Sequence, residues 1–316
     1  MTTPILRADG ASPDLETVEA AGIRWEALAS VGETDVKWIR DAHSFHLLAM
    51  EDLVSRNQRP KVDDYGSELF VVLYFPRLDP ATGRLEAVEM NLFVGRDFIV
   101  SVPRAGIPGV GELFGRYRAD PAVRAEDFAR GTGFVLYRII DAAIDSGFPI
   151  LRRIGDDLES IEADLMTRRP GIVQAIATAK MNIIDYRRVV RPQRATYRQL
   201  KRATRARDGS GDLDPYFDDL VDASERTWDV LEADRELVQG LETTDESIRA
   251  KRVNDAVRVL TAWSVVILPL TLVASLFGMN VRVPGEGEAA AFWAIVIGMV
   301  IALILTIRYF RHRDWL

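Results

Sequence analysis

VLTAWSVVILPLTLVASLFGMN, residues 259 to 280, decides how the rest of the chain is read. From Val259 to Phe277 there is no charge for 19 residues. After a polar interruption, GMNVRVPGEGE (278–288), a second uncharged run of the same length, AAAFWAIVIGMVIALILTI, fills 289–307. Each run suits a membrane-crossing helix, which takes about 20 apolar residues. The competing reading, two buried helices of a soluble core, fits poorly because core helices are usually shorter and amphipathic. The expected spans are 259–277 and 289–309.

The flanking charges set the orientation. Arg249, Lys251, Arg252 and Arg258 precede the first span, and Arg308, Arg311 and Arg313 follow the second. The connecting loop has Arg282 against Glu286 and Glu288. By the positive-inside rule both termini are expected in the cytoplasm, with the hairpin in a bacterial-type cytoplasmic (inner) membrane. The first residues, MTTPILRADGASPDLE, lack the basic and apolar regions of a signal peptide. The absence of cysteine agrees with a reducing compartment and removes thiolate as a metal ligand.

Upstream of the hairpin the pattern changes twice. GIRWEAL, VKWIRDA, ELFVVLYFPRL and EAVEMNLFV-GRD-FIVSVP read as β-rich runs, the last a hairpin turning at Gly95 to Asp97. Residues 44–56 read as a short helix between them. From Gly133 the pattern is helical, with breaks at 147–149, 169–171 and 208–211. Asp214 and Pro215 form an N-cap and N1 pair, after which one helix of some 60 residues, roughly 90 Å, runs into the first span. A lone helix that long implies bundling or oligomerisation. The expected organisation is an α/β domain over 1–131, a long-helix stalk over 132–257 and a transmembrane hairpin over 258–316 with a short basic tail.

Charge is sorted along the helices. Residues 180–207 hold ten Lys or Arg against Asp185, whereas 212–246 hold thirteen acids against Arg226 and Arg235. The two segments are expected to pair antiparallel and neutralise one another. The alternative is an acidic vestibule that enriches cations. Nucleic-acid binding is not expected, since the net charge is -7 and the basic segment has only Tyr186 and Tyr197 as aromatics. Nor is enzymatic chemistry: the chain has no P-loop, nucleophile elbow, HExxH or CxxC, and no cofactor is implied. His43 and His46 are expected to be structural and His312 to anchor at the membrane surface.

All four hydroxyl residues of the first span, Thr261, Ser264, Thr271 and Ser275, fall on one helical stripe with Leu268, and the register extends back to Val257 and Asn254. Such a stripe is either a helix contact within the membrane or a pore lining, and several copies around an axis would make it both. A two-span hairpin cannot enclose a conduit, so a pathway requires an oligomer. In that arrangement Gly278, Met279 and Asn280 stand at the outer mouth. Their neutral oxygens suit a hard cation that keeps its first-shell waters, and Glu286 and Glu288 add negative charge outside.

The stretch NDAVRVLTAWSVVILPLTLVASLFGMNV (254–281) resembles the signature of the CorA family of divalent-cation channels. FHLLAMEDLVSRNQRPKVDDYGSELFVVL (45–73), with its Gln-Arg-Pro-Lys, resembles a cytoplasmic segment of the same family, and the ending RHRDWL agrees. The likeness covers most of the chain from about residue 36. It implies a funnel-shaped homopentamer: an α+β cytoplasmic domain, long stalk helices and a two-helix hairpin embedded in membrane lipid. Gly278, Met279 and Asn280 would then form the selectivity ring for hydrated Mg2+, with Co2+ also carried. Asn254, Val257, Leu260, Ser264, Leu268, Thr271 and Ser275 would face the pore, with Leu260 and Leu268 at its constriction.

Regulation is where the sequence departs from that pattern. The family's regulatory acidic pair matches Asp52, beside Glu51, but its stalk partner aligns to Thr243. Glu242, Asp245 or Glu246 would have to substitute, and otherwise Asp52 is an ordinary solvated acid. A ZntB-like zinc branch, reported to lack this arrangement and to be proton-linked, is the alternative. Arg282 is a second departure, standing where Mg2+ channels of the family often carry an acid. A non-transporting scaffold anchored by its hairpin is the remaining alternative.

Overall fold

The computed structural model describes residues 15–28, 33–55, 58–167, 169–209, 211–279 and 289–313. Its strands are β1 (Leu15–Ala20), β2 (Ile23–Leu28), β3 (Lys61–Asp64), β4 (Leu69–Leu78), β5 (Leu85–Val94) and β6 (Phe98–Pro103). Its helices are α1 (Glu33–Ala42), α2 (Leu47–Val54), α3 (Pro108–Ala119), α4 (Pro121–Phe128), α5 (Thr132–Asp145), α6 (Phe148–Thr167), α7 (Ile172–Asp208), α8 (Asp214–Phe277) and α9 (Ala289–His312). The chain divides into two compact units, Met1–Leu241 and Glu242–Leu316.

In the first unit six strands form one sheet in the order β1-β2-β6-β5-β4-β3. Only the β2–β6 pair is parallel. The nearly continuous apolar run of β4 is explained by cover on both faces. Alternate side chains of a strand point to opposite sides. Leu69, Val71, Leu73 and Phe75 accordingly join a core with residues of α3, α5, α7 and the start of α8. Phe70 and Val72 join a second core with Trp38, Ile39, Met50 and Leu53 of α1 and α2. The β5–β6 turn lies where expected, closed by Gly95 N–H donating to the Phe98 carbonyl at 2.9 Å. A Cβ at Gly95 would meet the Phe98 ring at 2.1 Å, so any larger residue there would have to displace that ring.

One segment departs from the sequence reading. VKWIRDA, expected as a β-rich run, lies in α1. Trp38 and Ile39 are adjacent and both buried, with Asp35 and Val36 half-buried one turn earlier. That is spacing of three and four, which a helix face satisfies and an alternating strand does not. Helices α3 and α4 were not anticipated. Each begins with proline at its first position, and Asp120 caps α4 by accepting from Ala122 N–H and Val123 N–H. The later breaks fall as expected, with Gly171 and Gly209 at positive φ beside the ends of α7.

Helices α7 and α8 run antiparallel and exchange charge along their length. Arg187 pairs with Glu232 at 2.6 Å, Arg198 with Glu225 at 2.5 Å, Lys201 with Asp218 at 2.7 Å and Arg205 with Asp214 at 3.0 Å. As one partner's number rises the other's falls, which is the neutralising arrangement expected from the charge blocks. Arg187 also lies over the Trp228 ring, 4.7 Å from its centroid.

The second unit holds the end of α8 and all of α9. Ala262 and Val266 of α8 pack on Phe310 of α9, with Leu270 and Leu303 beside them. Only 11% and 0% of the apolar windows of α8 and α9 is buried within the chain. Core helices of a soluble protein would be covered, so these surfaces call for a hydrocarbon environment. Helix α8 passes through Pro269 without ending. Its Gly240 sits in open space, with nothing within 4 Å of where a Cβ would stand.

Candidate ion pathway

The line Ala262, Val266, Leu270 fixes which side of α8 faces α9. At about 100° per residue, the stripe Val257, Thr261, Ser264, Leu268, Thr271 and Ser275 is centred on roughly the opposite side of the helix. Asn254 and Leu260 border the same stripe. All eight side chains are exposed in the single chain, Leu260 and Leu268 each at 68%. The hydroxyl face is therefore the one that the second span leaves uncovered.

The hydroxyls have a fixed polarity. Thr261 donates to the Val257 carbonyl at 2.8 Å, Ser264 to the Leu260 carbonyl at 2.9 Å and Thr271 to the Ile267 carbonyl at 2.9 Å. Each donor is thereby spent on the helix's own backbone, a common habit of Ser and Thr in membrane helices. What remains outward is oxygen lone pairs, the half of the hydroxyl that a cation or its water shell can use. Between the hydroxyls stand aliphatic side chains, so the face alternates oxygen with hydrocarbon.

Helix α8 ends at Phe277, and Gly278 N–H donates to the Ala274 carbonyl at 2.9 Å. A Cβ at Gly278 would press on that carbonyl oxygen at 3.1 Å, which favours glycine at this exit. Met279 follows, 55% exposed. Asn280, Arg282, Glu286 and Glu288 lie outside the described residues.

Two of the acids considered for regulation, Asp52 and Asp245, are held by cations of this same chain. Lys61 Nζ lies 2.5 Å from Asp52 Oδ2 and 2.7 Å from Asp63 Oδ2, in an open concavity also lined by Leu48, Glu51 and Tyr65. Burial pulls the Lys61 pKa down, but the hydrogen bonds to Asp52 and Asp63 outweigh it and leave the ammonium more firmly protonated than usual. Asp245 pairs with Arg249 at 2.8 Å one turn along α8. Glu242 and Glu246 lie on the same helix. Among the described residues no three His, Cys, Asp or Glu side chains converge as a metal site. Sequence reasoning missed the role of Lys61, because its contact with Asp52 joins β3 to α2 and leaves no local signal in KVDD.

His43 and His46 have structural contacts, as expected of them. His43 bonds Glu26 Oε2 at 2.8 Å and stacks on Phe45, while His46 caps α2 and stacks on Tyr65.

Comparison with known proteins returns one family. The sequence profile of a family described as "CorA-like Mg2+ transporter protein" matches residues 20–312. The cobalt/magnesium transport protein CorA of Thermotoga maritima is 26% identical over 302 residues, covering 92% of this chain and 83% of that one. The zinc transport protein ZntB of Yersinia pestis is 21% identical over 302 residues, covering 92% and 88%. Among solved structures, the complete CorA magnesium transporter from Methanocaldococcus jannaschii matches with a TM-score of 0.81 at 16% identity, over 97% of this chain and 95% of that one. This last likeness speaks for the fold.

Proposed function

This chain belongs to the family of CorA-like Mg2+ transporter proteins and is a divalent metal ion transporter of the membrane, not an enzyme; from that premise we propose that it conducts hydrated Mg2+, and Co2+ as a second cargo, through a homopentameric channel. The observation that carries the reading is the uncovered hydroxyl face of α8, opposite the face packed on α9. One hairpin cannot surround an ion, whereas several copies with α8 innermost would close that face into a lining. Leu260 and Leu268 would then narrow the lining by dewetting. Gly278, Met279 and Asn280 would form the outer ring, and Glu286 and Glu288 would draw cations toward it against the opposing charge of Arg282. Both termini would lie in the cytoplasm of a bacterial-type cell.

Full-length protein in liposomes loaded with Mg2+-, Co2+- or Zn2+-sensitive dye tests this. Wild type should admit Mg2+ without a pH gradient, and Asn280→Ala should lose discrimination among cations. If Asn280→Ala carries ions as selectively as wild type, the ring assignment is wrong. A zinc reading draws support from a different observation: Asp52 is engaged by Lys61, and the stalk position expected to face it is Thr243, so the acidic pair of the Mg2+ channels is incomplete. Zn2+ flux that requires a pH gradient, with none for Mg2+, would decide for that branch. If Glu51, Asp52, Glu242, Asp245 and Glu246 nonetheless sense cytoplasmic divalent ions, Mg2+ should protect the protein from limited proteolysis, and Lys61→Gln should lower the concentration needed.

A further inference from the structure

We propose that the corner where the end of α9 meets α8 binds the phosphate of an anionic glycerophospholipid. The register is set by Phe310, which packs on Ala262 and Val266. Arg258 lies four residues before Ala262 and Lys251 seven before that, so both continue the α9-facing line of α8 beyond the point where α9 stops. Arg311 and Arg313 come from the turn of α9 that flanks Phe310. Basic residues of both segments therefore stand at the border where the two uncharged runs end, at Val259 and at Ile307.

Much of this basic surface stays open among the described residues. At about 100° per residue, Arg258 and Lys251 stand roughly 100° and 120° from the centre of the hydroxyl stripe, on the flank of α8 that turns toward α9. The described carboxylate nearest to Arg258 in sequence, Asp255, is 4.0 Å away, at the outer limit of an ion pair, and 44% of the Arg258 side chain remains exposed. Arg313 rests over the Tyr309 ring, 5.8 Å from its centroid, which holds the guanidinium beside an aromatic that is itself 57% exposed. Exposed aromatics with arginines at the end of a span are how helices meet the headgroup layer. Guanidinium groups bind phosphate oxygens in pairs, and a lipid brings its phosphate to this depth with its acyl chains along the exposed apolar surface of the hairpin. The site rests on reading α8 and α9 as membrane spans but not on which ion is carried.

The test measures bound lipid rather than flux. Full-length protein in mixed micelles of equal phosphatidylglycerol and phosphatidylcholine is recovered, and its co-purifying lipid is quantified by native mass spectrometry. Wild type should be enriched in phosphatidylglycerol, and Arg258→Gln and Arg311→Gln should each lower that enrichment by about fivefold, the usual weight of one basic residue at an anionic surface. Arg226→Gln, a surface change remote in sequence, should leave it unaltered. If the arginine variants lower the melting temperature, Arg258→Lys serves instead and should retain most of the enrichment by keeping the charge. Equal retention of the two lipids by wild type, or undiminished enrichment in the Arg258→Gln/Arg311→Gln double variant, would overturn the proposal. So would displacement of phosphatidylglycerol by millimolar inorganic phosphate, which would assign the corner to a soluble anion. Loss of transport with lipid enrichment intact would count against the channel reading and leave this one standing.

Discussion

The two ends of α8 solve opposite problems. In its first part, Asp214 to Leu241, charged residues find ion-pair partners on α7, and Phe217, Leu220 and Leu231 are buried within the same chain. In its last part the face toward α9 is filled by Ala262 and Val266, while the opposite face presents Leu260, Ser264, Leu268 and Thr271 exposed among the described residues. The first part is complete as a monomer. The last leaves most of its apolar and hydroxyl surface exposed, so the same backbone geometry is covered at one end and open at the other.

Four experiments would break or sharpen that contrast. The largest effect is expected from Thr271→Trp, which fills the uncovered face with an indole. Flux in liposomes should fall by about tenfold or more, while circular dichroism and the melting temperature stay near wild type. Next, Phe217→Ala in the first part should destabilise the protein by about 3–5 kcal/mol in denaturant melts, because the ring is 1% exposed in a packed core. Leu268→Ala, a similar truncation at a 68% exposed site, should leave the dissociated protomer unchanged and alter only flux and assembly. A stability loss at Leu268 equal to that at Phe217 would erase the distinction between the two ends.

A smaller effect is expected from charge reversal along the antiparallel pair. Glu225→Arg places like charge against Arg194 and Arg198 and should cost about 1 kcal/mol, with part restored by Arg198→Glu in the same chain. Absence of any coupling would mean that the apolar core alone aligns α7 and α8.

The smallest effect concerns pH. Burial, with Asp145 and Asp219 nearby and Arg138 only partly offsetting them, raises the pKa of Asp141 to about 6. Because the folded protein holds this proton more tightly than the unfolded chain, the group's contribution is most favourable below about pH 4. It is lost as pH rises through about 6. Asp141→Asn should therefore raise the melting temperature slightly at pH 7.5 and flatten its pH dependence between pH 4 and 6. An unchanged pH profile would show that Asp141 is fully solvated.

What could be read from the sequence follows from how local each signal is. The spans, the Gly95 turn, the helix breaks at glycine and proline, and the sorted charges of α7 and α8 are encoded in adjacent residues and were visible. Burial in α1 depends on where β5 and β6 lie, and a seven-residue run such as VKWIRDA fits either period until Phe93 and Val100 are in place. Strands β1 and β3 are short edge strands whose pairing comes from the sheet rather than from their own sequence. The hydroxyl stripe was legible as periodicity. That it faces away from α9 was not, because which face a helix offers its neighbour is decided by the neighbour. Lys61 between Asp52 and Asp63 was also hidden, since the lysine and Asp52 sit nine residues apart on different elements.

Gly240 gives α8 a mechanical property beyond its contacts. An interior glycine weakens a helix by about 1 kcal/mol relative to alanine, and here no close neighbour requires it, since the space a side chain would occupy is empty. It stands two residues before Glu242, where the compact unit ending at Leu241 gives way to the next. The glycine is thus a local weak point in the backbone of α8, and Gly240→Ala should stiffen the helix there by about 1 kcal/mol without meeting a steric obstacle.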